Sequence, residues 1–372
     1  MAEQGERHAS WLELFFDLVA VAGVAQLSHL VHGTANWADA GLYVVCFLAF
    51  WTAWMCFTVY GNVAASSTRV GTVLAAMLGL AVMAAAVGAI HDEDRARVFA
   101  IAYVAARVLS DRAWHGRSTF LLDWPVAQVG AGVVPWIVSL WIDEPWRYYL
   151  WAVGLAIDLV VMFSFDRERM ERAVAEAAGR GGRAVTFSVA RLEGAHFGER
   201  LGLFVIIVLG EGVLLVTEAM SELDVWDHQV YATVIGSLVL LAGLWGLALP
   251  RGFGGVPMLS EATPPRTLLL LHCVVAGVLA ALAAGLGDLV HGHVEASTRW
   301  MMCAIVAAFG LLAAGAAAAR RGWLWSLRLL LPALVVPAVA ALLHTGAPAL
   351  VWLLVLTVVV QLVLTREKVT RQ

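Results

Sequence analysis

Apolar runs of about twenty residues, the length at which a helix spans the hydrocarbon of a bilayer, follow one another along almost the whole chain. They cover 11–31, 40–60, 70–90, 98–109, 121–142, 146–165, 201–220, 230–249, 268–290, 300–319, 323–343 and 347–364. With 61% hydrophobic and 14% charged residues and a mean hydropathy of +0.81, no water-soluble domain of 372 residues could bury so much apolar surface. In hydrocarbon the backbone must satisfy its own hydrogen bonds, so the runs are expected to be helices. The reading is an all-α, polytopic transmembrane helix bundle of about twelve spans. The count turns on the short fourth run and on the eleventh, which Pro332 and Pro337 interrupt.

The cations give the orientation. If all twelve runs cross, most of the 24 Lys and Arg share the side of both termini, while Arg95, Arg97, Arg147 and Arg299 fall on the other. The positive-inside rule then puts both termini in the cytoplasm. The first ten residues are polar and no small-residue cleavage site follows, so the first helix is expected to stay in place. A net charge of -4 points to no polyanion, and hence to no nucleic acid. The expected partners are membrane lipids and an unidentified small molecule or ion. Cys46, Cys56, Cys273 and Cys303 lie within apolar runs without a CxxC pair, and HExxH and GxSxG signatures are lacking. No metal or cofactor is expected.

The chain divides into a membrane half at 1–165, an arginine-rich amphipathic cytoplasmic linker at 166–195 and a second membrane half at 196–372. Each half opens on a His and acids: His8, Glu13 and Asp17 in one, His196, Glu199 and Glu211 in the other. This points to a duplicated six-helix unit, repeated in parallel.

Charged side chains inside the runs are the candidate functional groups, because each costs a few kcal/mol at the bilayer centre unless it is paired, protonated or wetted. Along 195–220 a helical period places Arg200, Glu211 and Glu218 in one stripe, with His196 close by. Arg200 and Glu211 are about 16 Å apart along the axis, too far to pair. In the first run Glu13 and Asp17 share a face, with Gln26 and His29 nearly opposite. Both faces cannot meet lipid: either this helix is central and surrounded by protein, or it breaks near Gly23 so that the polar groups converge, while the plainer reading makes Glu13 and Asp17 a helix-start pair at the cytoplasmic headgroup level. Arg107 reads as snorkelling to the headgroups or lining a cytoplasmic vestibule. Asp158 is a functional acid or the partner of a buried donor. Trp51, Trp54 and Tyr60 read as packing and interface aromatics, and His272 as a hydrogen-bonded packing residue.

Two stretches carry a resemblance: Glu13-Leu-Phe-Phe-Asp17-Leu-Val19 with Gln26-Leu-Ser-His29, and His196-Phe-Gly-Glu199-Arg200-Leu-Gly202 running on to Gly210-Glu211. They resemble the bacterial low-temperature-requirement A family of polytopic membrane proteins, with weaker echoes at Tyr60-Gly-Asn62, at Ala102-Tyr103 with Arg107, and at Asp158. The likeness is specific over about the first 250 residues. The sequence departs from the family pattern in having Gly61 in place of a Thr, Gly212 in place of a Ser after the Gly-Glu pair, and fewer aromatics around Trp245. The resemblance implies a bacterial cytoplasmic membrane protein and no agreed activity.

Three functions fit this pattern. The first is a proton-linked transporter or channel, its path between the six-helix halves lined by Glu211, Arg200 and Glu218 with Asp17 and Asp158, and Glu211 as the exchanging group. The second is a membrane enzyme using Glu13, Asp17, Glu211 and His29 as acid/base groups on a lipid or isoprenoid. The third is a non-catalytic protein of membrane homeostasis. A path open on both sides separates the first from the second.

Overall fold

The computed structural model describes residues 8–31, 36–115, 119–121, 123–164, 188–190, 192–292 and 294–366. Most of the linker expected at 166–195 therefore lies outside the described residues. Among the described residues the fold is all-α apart from two short strand pairs, and ten helices are long and apolar enough to cross a membrane. The chain forms two compact units: Met1–Leu27 with Gly41–Phe197, and Ser28–Ala40 with Gly198–Gln372.

In the first unit, α1 (Trp11–Ala25) starts at a capping box. The Ser10 hydroxyl accepts from the Glu13 amide while the Glu13 carboxylate takes the Ser10 amide at 2.8 Å. The α-helix tightens to a 3₁₀ turn at Gln26–Leu30. Gly23 lies within the α-helix, and the Phe50 ring rests against it. That ring belongs to α2 (Trp37–Ala64), 28 residues that are apolar on every side and accordingly enclosed by other helices. Next come α3 (Val70–Val87) and α4 (Glu93–Ala113), the latter capped by Asp92. At 21 residues α4 is about 31 Å long, well beyond the twelve-residue run seen in the sequence.

The fifth run is not the continuous helix expected over 121–142. It consists of a strand (β1, Thr119–Leu121), a 3₁₀ turn at Pro125–Ala127, a six-residue helix α5 (Val133–Val138) and another 3₁₀ turn at Ser139–Trp141. Pro125, Gly130, Gly132 and Pro135 explain the break: the prolines withhold donors and the glycines favour no helix. The segment nevertheless runs back along α4. Ser110 Oγ donates to the Ala127 carbonyl at 3.2 Å, and Arg97 Nε to the Leu140 carbonyl at 3.2 Å. Those anchor points are about 20 Å apart on α4. Then α6 (Trp146–Ser164) starts beside the start of α4, where the Tyr148 hydroxyl donates to the Ile90 carbonyl at 3.0 Å. β1 pairs in parallel with β2 (Ser188–Ala190).

Helix α7 (Gly194–Ser221) begins in the first unit and continues in the second. There it is followed by α8 (His228–Ala248), capped by Asp227, and by a hairpin of β3 (Gly252–Phe253) and β4 (Val256–Pro257). Gly254 and Gly255 turn the hairpin at φ of +59° and +75°, a region that side chains disfavour. The remaining helices are α9 (Pro265–Val290), α10 (Ala296–Arg321), α11 (Trp323–Leu342) and α12 (Ala347–Thr365). α8 packs on α12 through Gly236 and Gly243, where an added Cβ would come within 2.8 Å of Val351 and 2.6 Å of Val358. Without a hydrophobic drive between membrane helices, such small residues permit the close approach that holds them together. Pro332 and Pro337 both lie inside α11, which continues through them.

Candidate functional site

Among the described residues of the first unit, buried ionisable groups form three assemblies, and a fourth group, Arg147, lies apart from them with its Nη2 3.8 Å from Glu93. The first surrounds Arg107, on the half of α4 that faces the broken segment. Arg107 is 3% exposed, so it neither snorkels nor lines open water. Its guanidinium holds both carboxylate oxygens of Asp158 on α6, donates to the Tyr103 hydroxyl at 3.1 Å and donates to the Val126 carbonyl at 2.9 Å. Of the two roles open to Asp158, the structure shows the pairing with a buried donor. The same guanidinium and the Ser110 hydroxyl take up the carbonyls of Val126 and Ala127, which no helix satisfies. Irregular backbone at membrane depth is tolerated only with such partners. The Asp158 carboxylate rests against Gly132, where a side chain would displace it. Trp136 and Trp151 stack at 4.9 Å beside Tyr103 and close this assembly.

The second assembly joins the two stretches that share the family resemblance. His196, in the first turn of α7, is fully buried and lies with Nε2 3.5 Å from Glu13 Oε2. Its Nδ1 is 3.0 Å from the Asn62 Nδ2. The Asn62 amide is oriented by the chain, since its Oδ1 accepts the Glu193 amide at 2.9 Å and its Nδ2 donates to the Glu193 carbonyl at 3.3 Å. Nδ1 therefore faces a donor, and Nε2, which makes no hydrogen bond, faces the Glu13 carboxylate. Glu13 also accepts from the Ser10 hydroxyl at 2.8 Å, so one carboxylate caps α1 and faces the imidazole. Asp17 forms the third assembly. It is wholly buried and accepts from the Trp54 indole at 2.7 Å, which makes Trp54 a hydrogen-bond donor as well as a packing residue.

The remaining candidates lie elsewhere. Gln26 is exposed, and the side chain of His29 lies outside the described residues. In the second unit Glu199 is half-buried and Arg200 is buried, but the stripe does not stay inside: Glu211 is half-buried and Glu218 exposed. His272 is a packing residue that holds the Leu201 carbonyl at 3.1 Å. Among the described residues no three His, Cys, Asp or Glu side chains gather as a metal site would require. Reasoning from the sequence missed Asn62, Ser110 and the donor role of Trp54. It also passed over the capping box, though Ser10-x-x-Glu13 was there to be read.

Long apolar helices with ion pairs and charged hydrogen bonds enclosed between them define an integral, polytopic α-helical membrane protein. The chain belongs to the bacterial low temperature requirement A (LtrA) family, whose model matches residues 8–363. That match runs well past the 250 residues over which the motifs were specific. A comparison with curated proteins finds no match.

Proposed function

We propose that the protein is a proton-linked transporter or channel whose path lies within the first unit. One observation carries this reading: the apolar run at Pro125–Val138 is broken into a 3₁₀ turn and a six-residue helix beside a buried Arg107–Asp158 pair. Broken helices in membranes form cargo sites because their freed backbone groups can be re-satisfied in more than one arrangement. A proton delivered to Asp158 would release Arg107, and a released guanidinium can hold an anionic or polar cargo. Glu13 and Asp17 are the other acids placed to exchange protons, Glu13 with the His196 ring 3.5 Å away. Both termini are assigned to the cytoplasm by the distribution of Arg and Lys.

The test is proton flux into liposomes loaded with a pH-sensitive dye, under an imposed gradient, with candidate amines, organic acids and K⁺. Wild type is compared with Asp158→Asn, Glu13→Gln and Glu211→Gln, each checked for native helix content. Flux lost in Asp158→Asn and Glu13→Gln and kept in Glu211→Gln is the expected result. Flux lost only in Glu211→Gln would move the path to α7. Absence of flux in folded wild type under every condition would sink the transport reading and favour a membrane enzyme or a homeostatic role.

A further inference from the structure

The second unit holds a buried cation placed where helix electrostatics oppose it. Arg299 lies in the second turn of α10 and is 6% exposed. Its Nη2 reaches the carbonyls of Val294 and Thr345, each at 3.4 Å. Val294 immediately precedes the N-cap of α10, and Thr345 that of α12, so the guanidinium bridges the starts of two helices. Neither start has a side-chain cap, because Glu295 does not cap α10 and Gly346 has nothing to offer α12. The positive ends of two helix dipoles therefore lie beside a guanidinium, the reverse of the usual preference for negative charge there.

Among the described residues no carboxylate pairs with Arg299, its Nε has no hydrogen-bond partner, and neither has the nearby Thr345 Oγ1. Two long contacts to carbonyls leave most of the donor capacity of the fork unused. Its depth suggests the ligand. Arg299 is about 6 Å from the start of α10, and the exposed ring of Trp300 beside it marks a membrane–water boundary.

The geometry points to a phosphate-binding site at the paired starts of α10 and α12, with Arg299 as the principal ligand and Thr345 Oγ1 as a second donor. A phosphate oxygen pair matches the planar guanidinium fork, and its charge compensates both helix dipoles at once. The phosphate is that of an anionic lipid headgroup or a soluble phosphate, and the experiment separates the two.

The protein is purified in an uncharged maltoside detergent, and its unfolding temperature is followed by tryptophan fluorescence. It is measured alone, with mixed micelles containing phosphatidylglycerol or phosphatidylcholine, and with inorganic phosphate. A ligand that binds only the folded state raises Tm, here by about 2–4 °C near saturation. Arg299→Gln should lose most of that rise. Thr345→Val, which removes a hydroxyl with no partner in the protein and so leaves the fold intact, should weaken it. A response to phosphatidylglycerol alone identifies the headgroup, and a response to inorganic phosphate as well identifies a soluble ligand. No rise in wild type, or the same rise in wild type and Thr345→Val, would overturn the site and leave Arg299 a strut between two loops.

Discussion

The Arg107–Asp158 pair can be tested as an energetic unit. Asp158→Leu leaves a guanidinium 3% exposed, with only the Tyr103 hydroxyl and the Val126 carbonyl as acceptors. Removing one partner of a buried pair costs about 3–5 kcal/mol. A neutral hydrogen bond between membrane helices averages only about 0.6 kcal/mol. The stranded charge therefore dominates, and Arg107→Met should cost about as much by stranding the carboxylate. The double variant Arg107→Met with Asp158→Leu carries neither charge. It leaves the Val126 carbonyl and the Tyr103 hydroxyl short of a donor, at about 1–3 kcal/mol. The double variant should thus be more stable than either single one, where additivity would make it the least stable by several kcal/mol. Reversible denaturation in mild detergent, followed by circular dichroism, measures all four proteins. Single variants within about 1 kcal/mol of wild type, or a double variant equal to the sum of the singles, would refute the pair as the support of the broken segment.

Two further substitutions probe the local geometry. Ser10→Ala removes the hydroxyl that caps α1 and contacts Glu13 at 2.8 Å, and should cost about 1 kcal/mol in the same assay, whereas Ser10→Thr should be close to neutral. Gly132→Ala drives a methyl group into the Asp158 carboxylate and to 2.5 Å from the Gly154 carbonyl, and should cost about 1–3 kcal/mol. Gly130→Ala, with open space around it, should leave stability within about 0.5 kcal/mol, and equal effects at the two glycines would contradict the placement of Asp158.

The amino-acid sequence by itself determined the membrane class, the helix positions and most helix ends, because hydropathy and capping are sums over neighbouring residues. Trp146–Ser164, His228–Ala248 and Ala347–Thr365 lie within a few residues of their apolar runs, and Asp92 and Asp227 cap where their chemistry suggests. It also singled out Glu13, Asp17, Arg107, Asp158 and His196 as costly in hydrocarbon, though not what relieves the cost. Only the tertiary structure decided that Arg107 meets Asp158, 51 residues on, or that His196 meets Asn62 across 134 residues. No local pattern encodes contacts of that separation. The same holds for the fifth apolar run, whose hydropathy suits a helix: its prolines and glycines were visible, but its path depends on Arg107 and Ser110 donating to the carbonyls of Val126 and Ala127. On α7, periodicity placed Arg200, Glu211 and Glu218 in one stripe, and the packing then buried the first and exposed the last. Period fixes the face of a helix, while the neighbours along its length decide what that face meets.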